Sequence, residues 1–181
     1  HIFDMLYRLG AIFKMKYLTL IILAVLSIIE VSAENPEQLI IGNSGEPATL
    51  DPHKYNLRLE ETLLNDLFLG LTTFNAEGEI VPGAAKSWTV SEDGLTWMFT
   101  LRDDLKWSDG KTLDAHDFVF SLRRLQDPKT SASLSYFLYM IRNAEAVNKG
   151  EQHTNSLGVH AKGPFTLIIE LEKPYPYLLE R

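Results

Sequence analysis

The side chains best able to do chemistry come together in Asp114-Ala115-His116-Asp117, where an imidazole lies between two carboxylates. Histidine with aspartate is a usual set both for metal binding and for acid–base work. The spacing opposes both. On a helix, residues one and two positions apart point to different sides, whereas a shared ion needs positions such as i and i+4. A helix start fits better: Asp114 as N-cap, Asp117 three residues on imitating a capping box, and both carboxylates facing free amides and the helix dipole. Trp107-Ser108-Asp109-Gly110 contains a serine but no GxSxG elbow and no paired histidine and acid, so it reads as a tight polar turn. His53, His153 and His160 show no ligand spacing, and no phosphate-cradling glycine loop is present. Trp88, Trp97 and Trp107 offer a sugar-stacking platform as the alternative to core packing, although Trp97 falls on the apolar face of a strand. The expectation is a protein that is not an enzyme, with no catalytic set, no metal site and no cofactor.

Composition narrows the partners. With 17 Lys and Arg against 24 Asp and Glu, the net charge of the 181 residues is −7, and no basic patch suggests nucleic acid. The absence of cysteine excludes a disulfide framework, a thiolate zinc site and a cysteine nucleophile. At 45% hydrophobic and 23% charged residues the chain has the balance of a globular protein. Met15-Lys16, an apolar run over 17–29 and Val31-Ser32-Ala33 have the order of a secretory signal peptide cut after Ala33. The alternative is a membrane anchor, but thirteen residues fall short of the roughly 20 that span a hydrocarbon core. Residues 1–14 then read as an upstream extension. Removing Arg8, Lys14, Lys16, Asp4 and Glu30 leaves 14 basic and 22 acidic residues, a net charge of −8. A periplasmic location follows.

The elements that would position any site can be read from periodicity. Residues 39–41 suggest a strand running into a glycine-rich turn, and 45–52, with two prolines, a loop. Leu63, Leu64, Leu67, Phe68 and Leu71 recur at helical spacing over 60–71, with Gly70 near the end. Asn75-Ala76-Glu77-Gly78 is a turn between extended pieces. Residues 95–101 are the clearest strand: Leu95, Trp97, Phe99 and Leu101 alternate with Thr96, Met98 and Thr100. A partner strand through Trp88 and Val90 precedes it across Ser91-Glu92-Asp93-Gly94. The helix capped by Asp114 is predicted to run to about Gln126, with Phe118, Leu122 and Leu125 as its buried stripe, and to stop at Asp127-Pro128. Phe137, Met140, Ile141, Ala144 and Val147 predict a second helix ending near Gly150. Residues 159–171 predict a hairpin with Phe165, Leu167, Ile169 and Leu171 on one face. Strands 95–101 and 165–171 should share one sheet system, covered by these helices. Tyr177 onward reads as the opening of another element, as a truncated chain would show.

Taken in order, several of these stretches resemble the bacterial extracytoplasmic solute-binding proteins of family 5, the peptide, nickel and opine class, and within it the oligopeptide binders of ABC importers. The landmarks are Gly45-Glu46-Pro47-Ala48-Thr49-Leu50-Asp51-Pro52 with His53-Lys54, then Asp66-Leu67-Phe68-Leu69-Gly70-Leu71, and Pro82-Gly83-Ala84-Ala85 with Trp88. Asp93-Gly94-Leu95-Thr96-Trp97 with Phe99 and Leu101-Arg102 follows. Lys106-Trp107-Ser108-Asp109-Gly110, Ala115 with Asp117-Phe118-Val119, Arg124, and Asp127-Pro128 with Thr130 complete the series. Each alone is weak; their ordered recurrence is specific.

The resemblance implies an α/β fold of mixed α+β sheets, a two-lobed periplasmic binding protein of type II, here incomplete. Residues 1–33 would be extension and signal, 34–69 the start of the ligand-binding lobe, and 70–181 a truncated accessory lobe. It implies capture of oligopeptides, bound as an added strand by main-chain hydrogen bonds, and delivery to the permease subunits in the membrane. The whole protein would be a monomer. The ligand-meeting stretch would be Tyr55, Asn56, Leu57 and Arg58, where Asn56 replaces an acidic residue and Arg58 a small apolar one of the family pattern. Leu134 stands where an aromatic contacts ligand, with Tyr136 two residues on. The alternatives are a non-transporting interaction or chaperone-like module with exposed strand edges, and a binder of a cell-wall peptide, haem or a nickel complex.

Overall fold

The computed structural model describes residues 41–180, so the predicted leader and residues 39 and 40 of the first predicted strand lie outside the described residues. From Asn43 onward the chain forms one compact unit. Helix α1 spans Arg58–Leu67. A hairpin follows, β1 (Thr72–Phe74) and β2 (Ile80–Pro82), closed by the Asn75 side chain, whose Oδ1 accepts from the N–H groups of Glu77 and Glu79 at 3.1 and 2.8 Å. Then come β3 (Ala85–Val90), β4 (Thr96–Leu101), helix α2 (Ala115–Gln126), a short helix α3 (Ala144–Asn148), β5 (Val159–Ala161) and β6 (Thr166–Glu170). The last four strands make an antiparallel sheet in the order β3-β4-β6-β5.

Alternation along β4 determines the core. Trp97 pairs with Ile169 and Phe99 with Leu167, and β5 sets Val159 against Ile169, so one face of the sheet is continuously apolar. Trp97, Phe99, Leu101, Leu167, Ile169 and Val159 are buried there, while Met98 on the opposite face is exposed. Trp97 is thus a core residue and not a stacking platform. Helix α2 lies against β5 and β6. It starts as the sequence predicts: Asp114 Oδ1 accepts from the His116 N–H at 2.7 Å and Asp117 Oδ2 from the Asp114 N–H at 2.9 Å. Its most buried side chains are Ala115, Val119 and Gln126; Phe118, Leu122 and Leu125 are half-buried, so the stripe is rotated from the predicted one.

Two helices depart from their predicted lengths for one reason: their backbones are claimed by strands. The predicted 60–71 helix ends at Leu67, because Gly70 and Leu71 offer their carbonyls to the N–H groups of Gly83, Ala84 and Ala85. Gly83 is required there, since a Cβ would lie 2.6 Å from the Gly70 oxygen. The predicted helix over 137–148 is broken into a single 3-10 turn, Ser135–Leu138, and α3. Between them Ile141 bridges Leu171, Arg142 N–H donates to Glu170 O at 2.8 Å, and Asn143 takes a left-handed φ of 62°. Helical periodicity and sheet-edge pairing coincide in this stretch, and the pairing wins.

Candidate functional site

The segment before α1 is held mostly by polar side chains. Glu60, in the first turn of the helix, is 1% exposed. Its Oε2 accepts from the N–H groups of Asn56 and Leu57 at 3.1 and 3.2 Å, and its Oε1 from the Ala48 N–H at 3.0 Å. Leu57, at the N-cap, has no acceptor in its side chain, so this glutamate reaches back and satisfies the amides that a serine or aspartate cap would leave to it. These N–H donors, that of Asn56 foremost, hold the Glu60 carboxyl below the usual range.

One turn of chain earlier, Asp51 meets α2. Arg124 Nη1 and Nη2 donate to Asp51 Oδ1 and Oδ2 at 2.8 and 2.6 Å, a bidentate pair between a loop and a helix. Asp51 Oδ1 also accepts from the His53 N–H at 3.0 Å. The guanidinium hydrogen bond keeps the Asp51 carboxyl far below its ordinary value. His53 lies against the same helix, with Nδ1 2.7 Å from Arg124 Nη1 and Nε2 3.0 Å from Ser121 Oγ.

The six predicted ligand-meeting residues fall in two groups. Tyr55 and Asn56 are extended chain, Leu57 is the N-cap of α1 and Arg58 its first residue; all but Tyr55 are exposed. Burial, with Glu61 nearby, raises the Tyr55 pKa. Leu134 precedes the 3-10 turn and is half-buried, and Tyr136 within it is exposed, its ring 4.4 Å from that of Phe137. What the two groups share is an anchor in the last turns of α2. Ser121 and Arg124 hold residues 51–53, and the fully buried Gln126 donates from Nε2 to Ser135 O at 2.9 Å. Two surface clefts, of about 270 and 410 Å³, include none of the six. Among the described residues no group of three His, Asp or Glu side chains is arranged to hold a metal ion. The polar anchors were missed as site residues in the sequence, where Asp51, His53 and Arg124 stand only as fold landmarks; the signal lay in an aspartate and an arginine 73 positions apart.

A family model, bacterial extracellular solute-binding proteins, family 5 Middle, matches residues 79–181. The chain belongs to that family. The periplasmic oligopeptide-binding protein OppA of Haemophilus influenzae is 40% identical over 146 residues, 80% of this chain and 27% of the relative. In structure, the murein tripeptide-binding protein MppA of Escherichia coli aligns with a TM-score of 0.71 at 46% identity, over 76% of this chain and 27% of that one. Haemophilus influenzae OppA in complex with the peptide RPPGFSPFR aligns at 0.70 with 41% identity, over 73% and 26%. The family-5 chain described here therefore spans about a quarter of the length of the relatives it matches. Its sheet, with β4 between β3 and β6, is part of the two-lobed binding-protein fold of those structures.

Proposed function

We propose that this chain is the N-terminal part of the solute-binding component of an ABC importer, which captures oligopeptides in the periplasm and delivers them to the membrane permease. The observation that carries the reading is the likeness to a relative solved with a peptide, at a TM-score of 0.70 and 41% identity. Residues 34–69 begin the ligand-binding lobe and 70–181 build most of the accessory lobe. Tyr55, Asn56, Leu57, Arg58, Leu134 and Tyr136 meet the ligand. A secretory signal cut after Ala33 carries the protein out of the cytoplasm, and the whole protein acts as a monomer that binds without turnover. Main-chain recognition explains why one scaffold serves several ligands: backbone hydrogen bonds are indifferent to side chains, and solvated pockets absorb the differences. MppA, a murein tripeptide-binding protein, and OppA, solved with RPPGFSPFR, stand at similar identity to this chain.

Calorimetry of the chain with an equimolar mixture of tri- to pentapeptides tests the reading. Saturable heat, with the peptides recovered intact by mass spectrometry, is the expected result. Cleaved peptides would make it an enzyme, and heat that tracks self-association without peptide saturation would favour the interaction module.

A further inference from the structure

The contacts of His53 fix its proton. A guanidinium can only donate, so with Arg124 Nη1 at 2.7 Å the Nδ1 of His53 must accept, and the ring is the neutral form carrying its hydrogen on Nε2, directed at Ser121 Oγ. The charged groups facing the ring are Arg124 from α2 and Asp51 from its own loop. The aspartate is already committed to Arg124 through both oxygens. A proton added at Nδ1 would set N–H against N–H at 2.7 Å and place two cations side by side in a half-buried position.

We propose that Asp51, His53, Ser121 and Arg124 form a proton-operated latch: neutral His53 holds the loop before α1 on helix α2, and proton uptake at Nδ1 releases it by drawing Asp51 away from Arg124. Burial and Arg124 both disfavour the charged ring and push the His53 pKa below its ordinary value. The unfolded loop therefore binds the proton more readily. The latch is at full strength above about pH 6.5, where an ordinary histidine is neutral, and weakens as pH falls from there through the folded pKa. Asp51 stays ionised throughout that window, so His53 is the member of the cluster that titrates in it. The inference needs no ligand, and its failure would leave the peptide-binding reading where it stands.

Two measurements on the chain test it. In a long-range proton–nitrogen spectrum at about pH 7.5, His53 should show the hydrogen on Nε2; a hydrogen on Nδ1 would overturn the latch. In hydrogen exchange, the protection factors of the His53 and Lys54 amides should fall between about pH 7.5 and 5, roughly tenfold for each unit of pKa depression, while those of Phe99 and Ile169 in the sheet hold. His53→Asn keeps an acceptor toward Arg124 and cannot take up a proton, so its protection at Lys54 should be flat over the same range. Unchanged protection in the native chain, or the same acid loss in His53→Asn, would overturn the proposal.

Discussion

The stretch from Asn43 to Leu71 and the sheet that follows it both carry large apolar residues and use them in opposite ways. On the core face of the sheet they are buried: Trp97 is 6% exposed, and Phe99, Leu101 and Leu167 less. In the leading stretch Leu64 alone is buried among the large apolar side chains, whereas Leu67 is 62% exposed, Phe68 46%, and Leu50, Leu57 and Leu69 about half. Polar bonds do the holding there, through Glu60 and through Asp51 with Arg124. One region closes its own core; the other leaves most of its large apolar side chains exposed while carboxylates fix its backbone.

If the sheet is the seat of stability, truncation of its core costs most. Trp97→Ala removes a buried indole packed 6.3 Å, centroid to centroid, from Phe99 and should cost about 3 to 5 kcal/mol in a denaturant melt. A loss under about 1 kcal/mol would mean that this face is not core.

The second test sharpens the contrast with acid. Asp51 and Glu60 both have depressed carboxyl pKa values in the folded chain, the first through Arg124 and the second through backbone N–H groups. Their stabilisation is therefore complete above the unfolded pKa values near 4 and is lost as pH falls below them toward the folded ones. The Asp51–Arg124 pair is partly solvated, which keeps its share to about 1 kcal/mol or less. Exchange between about pH 4.5 and 2.5 should show the Ala48, Asn56 and Leu57 amides, which bond Glu60, losing protection ahead of β4 and β6. Arg124→Ala should lower protection at His53 and Lys54 already at neutral pH with the sheet amides unmoved. Simultaneous loss in both regions would show that they are one cooperative unit.

How far the sequence could be read follows the same division. Strand β4, the hairpin β5–β6 and the Asp114 cap were legible because each is declared locally, by alternation or by a residue pair three apart. The ends of α1 and the break at Asn143 were not, since strands distant in sequence claim those backbones: Gly83 to Ala85 for Gly70 and Leu71, Leu171 for Ile141. At the site, the residues noted by resemblance line up on α1's entry and the 135–138 turn; Asn56 and Leu57 are held by Glu60, while their neighbours Asp51, His53 and Ser135 are tied to Arg124, Ser121 and Gln126, a helix whose polar stripe carries no local mark of that role.

The smallest expected effect is the most discriminating. Leu67→Ser with Phe68→Ser strips two large apolar groups from the exposed face at the end of α1, where Phe68 has already left the helix for extended chain. If that face has no cover within residues 41–180, little apolar surface returns to water on unfolding and the melt should move by no more than about 0.5 kcal/mol. Leu64→Ala, one turn earlier and buried, is the internal control and should cost about 2 kcal/mol or more. A comparable cost for the serine pair would show that the leading stretch already packs its apolar side. The leading face would then be closed like the sheet, with the Asp51–Arg124 pair and the Glu60 bonds as reinforcement of a core rather than a substitute for one.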